Sequence, residues 1–188
     1  MKKIYILGNG SFAQEVFEQI IVANQIKNFG GFIILKDNKA FCIGEEGAEA
    51  FTYPPSAQFI LGTANPNWRK QFYNHFLGYY ELNINHWPNM AAPNSYQSLS
   101  STIGIGNLFL MFSLVNANTQ MGNFNLLCIF TSISVNCSIR NHNVLSPYSS
   151  ISKNVCIENG NLLESGEILF EDLESGCILT NGVVYAND

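Results

Sequence analysis

The groups in this chain that can carry a proton near neutral pH are three histidines, His75, His86 and His142. His142 follows Arg140 and Asn141, and general acid or base work is the chemistry it offers there. The alternative is a surface or interface histidine satisfied by a carbonyl. His86 falls in a connection and His75 at a helix end, places less suited to catalysis. Five cysteines, Cys42, Cys128, Cys137, Cys156 and Cys177, form no CxxC or Cys/His ligand spacing, so they read as ordinary thiols and no metal is expected. Phosphate chemistry is signalled elsewhere, by Gly8-Asn9-Gly10-Ser11-Phe12. Between a strand and a helix such a turn leaves free N–H groups that attract phosphate, although the glycines can equally serve only to turn the chain.

The elements that must hold these groups follow two different patterns. In the first half, Lys3 to Leu7 reads as a strand, Gln14 to Ala23 as a helix and Gly31 to Leu35 as a second strand, the order of a Rossmann-like βαβ unit. Tyr53-Pro54-Pro55 marks a loop, Gln58 to Leu61 a further strand, Asn65 to about Phe76 a helix, and Leu82 to Ile84 a last apolar segment. The pattern then changes, which puts the domain boundary between 1–85 and 86–188.

From about Ser98 a period of six takes over. Large apolar residues stand at every sixth position from Ile103 through Phe109, Val115 and Met121 to Leu169, twelve in succession. Six matches neither a helix nor a simple strand; it is the period of a solenoid with three short strands per coil of eighteen residues. A parallel β-helix of four coils, Ile103 to Glu174, would rise roughly 19 Å at ~4.8 Å per coil. The fifth position of the first eight hexads is small or polar (Asn107, Ser113, Thr119, Asn125, Thr131, Cys137, Asn143, Ser149). So short a solenoid leaves open edges and flat faces that self-association would cover.

Bulk composition narrows the partners. A net charge of −5 with nine Lys plus Arg and no basic run excludes an electrostatic footprint for nucleic acid. No eighteen apolar residues run together, so no membrane span is expected. The apolar run after Met1-Lys2-Lys3 stops at Gly8, too short for a signal peptide, which predicts a cytoplasmic protein.

The glycine-turn βαβ unit joined to hexads resembles the bacterial sugar acetyltransferases of the sialic acid O-acetyltransferase and UDP-4-amino-sugar N-acetyltransferase group. Ile6-Leu7-Gly8-Asn9-Gly10-Ser11-Phe12-Ala13 is similar to their opening Gly-x-Gly-Gly-His-Ala turn, with Phe12 at the histidine. Asn65-Pro66 with Arg69 resembles their second nucleotide-side loop, His86-Trp87-Pro88 the His-Pro before the coils, and Glu171 to Gly176 the step that closes the last coil. The resemblance implies a left-handed β-helix homotrimer with acetyl-CoA as co-substrate between adjacent prisms, and a nucleotide-activated sugar presented by the N-terminal domain. It places substrate binding at Gly8, Asn9, Gly10, Ser11, Phe12, Asn65 and Arg69. Asp37 joins them because it lies just beyond Ile34-Leu35, which stand where the family has an acidic pair. For the cofactor it implies Ser146, Lys153 (at a family glycine) and Gly166.

The family's catalytic segment maps without gaps onto Ser134 to Arg140, so Val135 stands at the base and Asn136 at its acidic partner. Val144 replaces a second histidine and Tyr148 a glycine. Valine cannot accept a proton. His142, at the fourth place of its hexad, is then the candidate displaced base, and the alternative function is a non-catalytic homologue that binds a nucleotide sugar or a partner enzyme.

Overall fold

All four residues of β1 (Ile4–Leu7) are buried, as expected of a central parallel strand covered on both faces. The computed structural model describes residues 2–37, 39–44, 47–52, 55–80 and 84–186. It divides into two compact units, Met1–Pro88 and Asn89–Asp188. In the first, β1 is followed by β2 (Phe29–Lys36), β3 (Lys39–Gly44), β4 (Gly47–Ala50) and β5 (Gln58–Leu61), in the sheet order β4-β3-β2-β1-β5. β1 is parallel to β2 and β5, whereas β3 and β4 fold back antiparallel. The sequence reading missed this antiparallel pair.

Helix α1 (Ser11–Val16) continues as a π-helical stretch, Phe17–Val22, and buries Ala13, Val16, Ile20 and Ile21. Helix α2 spans Pro66–Tyr80 and buries Phe72 and Phe76, the latter 5.0 Å from the ring of Phe59. Of the segment Leu82 to Ile84, after which the pattern was expected to change, Leu82 and Asn83 lie outside the described residues, and Ile84 opens a 3-10 turn, Ile84–His86. Tyr53 and Pro54 of the expected loop also lie outside them.

The second unit is a parallel β-solenoid of the left-handed β-helix type, with two-residue strands that pair in steps of eighteen. Face one stacks Tyr96, Leu114, Ser132, Ser150 and Ile168; face two stacks Thr102, Gln120, Ser138 and Cys156. Face three stacks Met90, Leu108, Leu126, Val144 and Leu162. The twelve periodic residues point into one core, eleven of them buried and Ile103 packed against the rest. Each such burial contributes about 1.5–3 kcal/mol. The coils begin earlier than expected, at Met90, and close differently. Leu163 pairs with Leu179 and Ile157 with Leu173, sixteen residues apart instead of eighteen. The last coil is therefore shortened, and Cys177–Thr180 and Val183–Ala186 continue face three as an antiparallel hairpin.

Fifth-position residues are buried at the corners, where side chains replace missing strand hydrogen bonds. Asn107, Asn125, Asn143 and Asn161 make an internal ladder in which the Oδ1 of each accepts the N–H of the next, at 2.9 Å for all three steps. Fourth-position residues are uniformly left-handed. From Gly106 to Gly166 every one has φ between 56° and 79°, including Phe112, Phe124, Phe130, His142 and Tyr148. Left-handed backbone costs a residue with a Cβ about 1–2 kcal/mol. Stacking from coil to coil offsets part of that cost.

Candidate functional site

Two of the turn glycines have different reasons to be there. Gly8 has φ +121°, and a Cβ on it would sit 2.9 Å from the carbonyl oxygen of Gly62, so the fold itself demands glycine. Gly10 has φ −75° and nothing within 4 Å of an added Cβ. Fold sterics do not require it. Gly10 is the N-cap of α1 without a side-chain cap, and Asn9, Gly10 and Ser11 are exposed, with Phe12 half-buried beside them. The turn therefore presents uncapped N–H groups below open space, an arrangement suited to phosphate oxygens.

Asn65 and Arg69 are committed to the chain. The Asn65 Oδ1 accepts the N–H groups of Asn67 (3.0 Å) and Trp68 (3.1 Å), which makes it the N-cap of α2. Arg69 is fully buried and donates to the carbonyls of Leu61 (3.2 Å) and Thr63 (2.9 Å). It positions the loop after β5; a ligand has no exposed surface of Arg69 to touch. Asp37 lies in the turn between β2 and β3 with φ 49°, four residues past Ile33, the partner of Leu7. At ~3.3 Å per residue it stands up to about 13 Å beyond the level of Leu7, the residue before the glycine turn.

On the solenoid the candidate residues fall on three corners. Between faces one and two, Asn118, Asn136 and Asn154 form an exposed ladder in which Nδ2 donates to the next Oδ1 at 3.2 Å. Asn136 is thereby a structural rung. Val135 is 40% exposed beside it, and Lys153 is its exposed neighbour one coil on. Between faces three and one lie Ser146, half-buried, and Gly166, exposed. Ser146 accepts the Ser149 hydroxyl at its carbonyl, 2.7 Å. Ser146 and Gly166 thus share an edge, and Lys153 stands on another. Val144 is wholly buried, so no ligand reaches it.

His142 occupies the corner between faces two and three. Its ring stacks on Phe124 at 5.3 Å with 6° between planes, and its Nδ1 is buried. The neighbours expected to tune it are engaged elsewhere. Asn141 donates to Asn159 Oδ1 (2.9 Å), and Arg140 faces Glu158 at 3.8 Å on the surface. His86 is buried with Nε2 3.1 Å from the Pro55 carbonyl. Burial pushes the His75 pKa down and the Cys137 thiol up. The Cys137 Sγ lies 3.1 Å from the Ser152 carbonyl. The described cysteines are unbridged, and no trio of His, Cys, Asp or Glu among the described residues could hold a metal ion. No described helix is long and apolar enough to cross a membrane.

The sequence reading missed the aromatic columns. Phe112, Phe130 and Tyr148 stack in one line with centroids 4.9 and 5.1 Å apart and planes within 11°. Aromatic residues recurring at steps of eighteen were the available signal. The charge of the second unit is also lopsided, with Arg140 and Lys153 as its two bases against seven acidic residues.

No family model and no curated protein matches the sequence. Solved structures do match. A histidine-to-asparagine variant of perosamine N-acetyltransferase from Caulobacter crescentus, in complex with CoA and GDP-perosamine, superposes with TM-score 0.71 at 13% identity, over 98% of this chain and 96% of that one. The acetyltransferase domain of PglB from Neisseria gonorrhoeae, in complex with acetyl coenzyme A, gives TM-score 0.72 at 14% identity over 98% of both chains. WeeI from Acinetobacter baumannii gives 0.69 at 14% identity, over 98% of this chain and 99% of that one. At these identities the likeness is one of fold, and over nearly its whole length this chain has the fold of these three structures.

Proposed function

We propose that this protein is an acyl-CoA-dependent transferase, with acetyl as the acyl group, acting on a nucleotide-activated amino sugar in surface-glycan synthesis. The observation that carries the reading is the match of both units at once, at TM-score 0.72 over 98% of the chain, to an acetyltransferase domain in complex with acetyl coenzyme A. The first unit acts as a Rossmann-like module. Its uncapped N–H groups after Gly10 receive the nucleotide phosphates, while Asn65 and Arg69 hold the adjoining loop in shape. The second unit is a left-handed β-helix that works as a cytoplasmic homotrimer.

Acetyl-CoA, when bound, supplies an activated thioester. Ser146 and Gly166 share one solenoid edge and would hold it there; Lys153, on another edge, would reach it only from a second copy. His142, on the third edge, likewise meets that thioester only across a junction between copies, and there takes the proton from the attacking amine. With Nδ1 buried against the fold and the ring plane fixed by Phe124, Nε2 is the atom that accepts it. The test mixes purified protein, acetyl-CoA and a panel of UDP- and GDP-amino sugars and follows free thiol; no release above background across the panel overturns the reading. A mass near three chains in solution is expected, and a monomer would undermine a site formed between copies.

A second reading is favoured by the corner of Val135: Asn136 is locked in a ladder, and valine stands at the family's base. On that reading the protein binds a nucleotide sugar without turnover. Calorimetry separates the two, since tight acetyl-CoA binding fits only the transferase.

A further inference from the structure

The aromatic column between faces three and one stops one coil short of the solenoid's end. Phe112, Phe130 and Tyr148 fill successive rungs, and the next rung is Gly166, with φ +79° and nothing within 4 Å of an added Cβ. The corner backbone is tied rung to rung: Phe130 N–H donates to Met111 O, Tyr148 to Ile129 O and Gly166 to Pro147 O at 3.0–3.2 Å. The coil rise therefore sets the ring spacing, and the outer face of Tyr148 opens onto an empty rung. Tyr148 is accordingly 62% exposed, against 46% for Phe112 and for Phe130.

We propose that Tyr148 is a stacking platform and that the Gly166 rung takes a planar heterocycle of purine size, continuing the column. Resting on the transferase reading, that ring is the adenine of the acyl-CoA. An aromatic face suits a base because every base offers a π surface. An uncharged ring is also what this rung tolerates. Glu164 and Glu167 flank it, their carboxylates accepting from the Thr180 hydroxyl (2.6 Å) and the Gly182 N–H (3.1 Å), so phosphate must point away.

The column supplies its own control. Because Phe112 and Phe130 already adopt φ 60° and 56°, Gly166→Phe places a fourth ring in a conformation the corner accepts. That variant should fold, with an unchanged or higher melting temperature, and should block the rung. The experiment titrates CoA, and separately adenosine, into wild type, Tyr148→Phe, Tyr148→Ala and Gly166→Phe by calorimetry. The expected result is affinity kept in Tyr148→Phe, weakened roughly 5- to 100-fold in Tyr148→Ala, and lost in Gly166→Phe. CoA binding that is equal in all four proteins overturns the platform and leaves the transferase reading standing. Adenosine binding that depends on Tyr148, without CoA binding, upholds the platform and overturns the transferase reading. If neither ligand binds wild type, both fail.

Discussion

Replacing Asn125 by alanine removes one rung of the internal ladder, and the structure sets the size of the effect. The Asn125 side chain donates to Asn107 Oδ1 (3.1 Å) and to the Arg140 carbonyl (2.8 Å), and its Oδ1 accepts the Asn143 N–H (2.9 Å). Truncation leaves the Asn143 N–H and the Arg140 carbonyl without those partners. Asn125 and Asn143 are both fully buried, so water does not readily replace what is lost. At about 1–3 kcal/mol for each orphaned group, plus a small void, Asn125→Ala should cost about 3–6 kcal/mol. Asn159→Ala is the matched control. Its Oδ1 also accepts two bonds, from Asn141 N (3.0 Å) and Nδ2 (2.9 Å), but the site is exposed, so the cost should stay near 1 kcal/mol. Urea unfolding followed by far-UV circular dichroism reads both, because Trp68 and Trp87 lie in the first unit and do not report on the coils. Costs within about 1 kcal/mol of one another would show that burial of the ladder is not what makes it matter.

Further outcomes follow from particular contacts. Gly122→Ala would bring a Cβ to 2.5 Å from Asn141 Oδ1 and 3.0 Å from the Arg140 carbonyl, and should lower stability by about 1–3 kcal/mol; Gly10→Ala meets nothing and should shift it by less than about 0.5 kcal/mol, both read as melting temperatures. Arg69→Met should destabilise the first unit by about 2–4 kcal/mol, seen as earlier loss of tryptophan fluorescence in urea, because it strips the Leu61 and Thr63 carbonyls of their donor. Burial lowers the folded His75 pKa below its unfolded value of 6.5, so the folded state binds fewer protons. Its contribution is complete above pH 6.5 and declines as pH falls below that, and His75→Gln should flatten this part of the stability profile. Iodoacetamide on native protein should label exposed Cys156 well before buried Cys128 and Cys137, as mass spectrometry of the digest would show.

The solenoid was legible because one feature, an apolar residue every six, is dictated by inward packing and survives in the sequence without gaps. Its ends were less legible. The start at Met90 carries Ala91 and Gln97 at the inward register, too weak a pattern to count. The shortened last coil depends on Leu173 rather than residue 175 turning inward, and no period can announce a break in itself. The terminal hairpin was missed although Asn181-Gly182 is a strong hairpin turn signal. The β3–β4 pair was missed because Lys39 to Gly44 follows directly on β2, with neither Gly nor Pro between them to mark the reversal.

At the candidate site, residue type spoke for chemistry where geometry spoke for structure. Asn65 and Arg69 were both expected at the substrate; Asn65 is a helix cap and Arg69 is buried against carbonyls. The left-handed corners were opaque for a related reason. Local preference assigns such positions to Gly and Asn, yet Phe112, Phe124, Phe130, His142 and Tyr148 occupy them. What stabilises them is a ring one coil away, eighteen residues distant, which no local rule sees.

The transferase assignment is tested most directly by thiol release from acetyl-CoA in the presence of nucleotide amino sugars, comparing wild type with His142→Asn. Asparagine tolerates the corner's φ of 60° but cannot take the proton, so the fold should persist. Sugar-dependent release by wild type and a drop of about 100-fold or more in the variant are expected. Equal release by both proteins would remove His142 from the chemistry, and no release by wild type with any sugar would contradict the transferase itself.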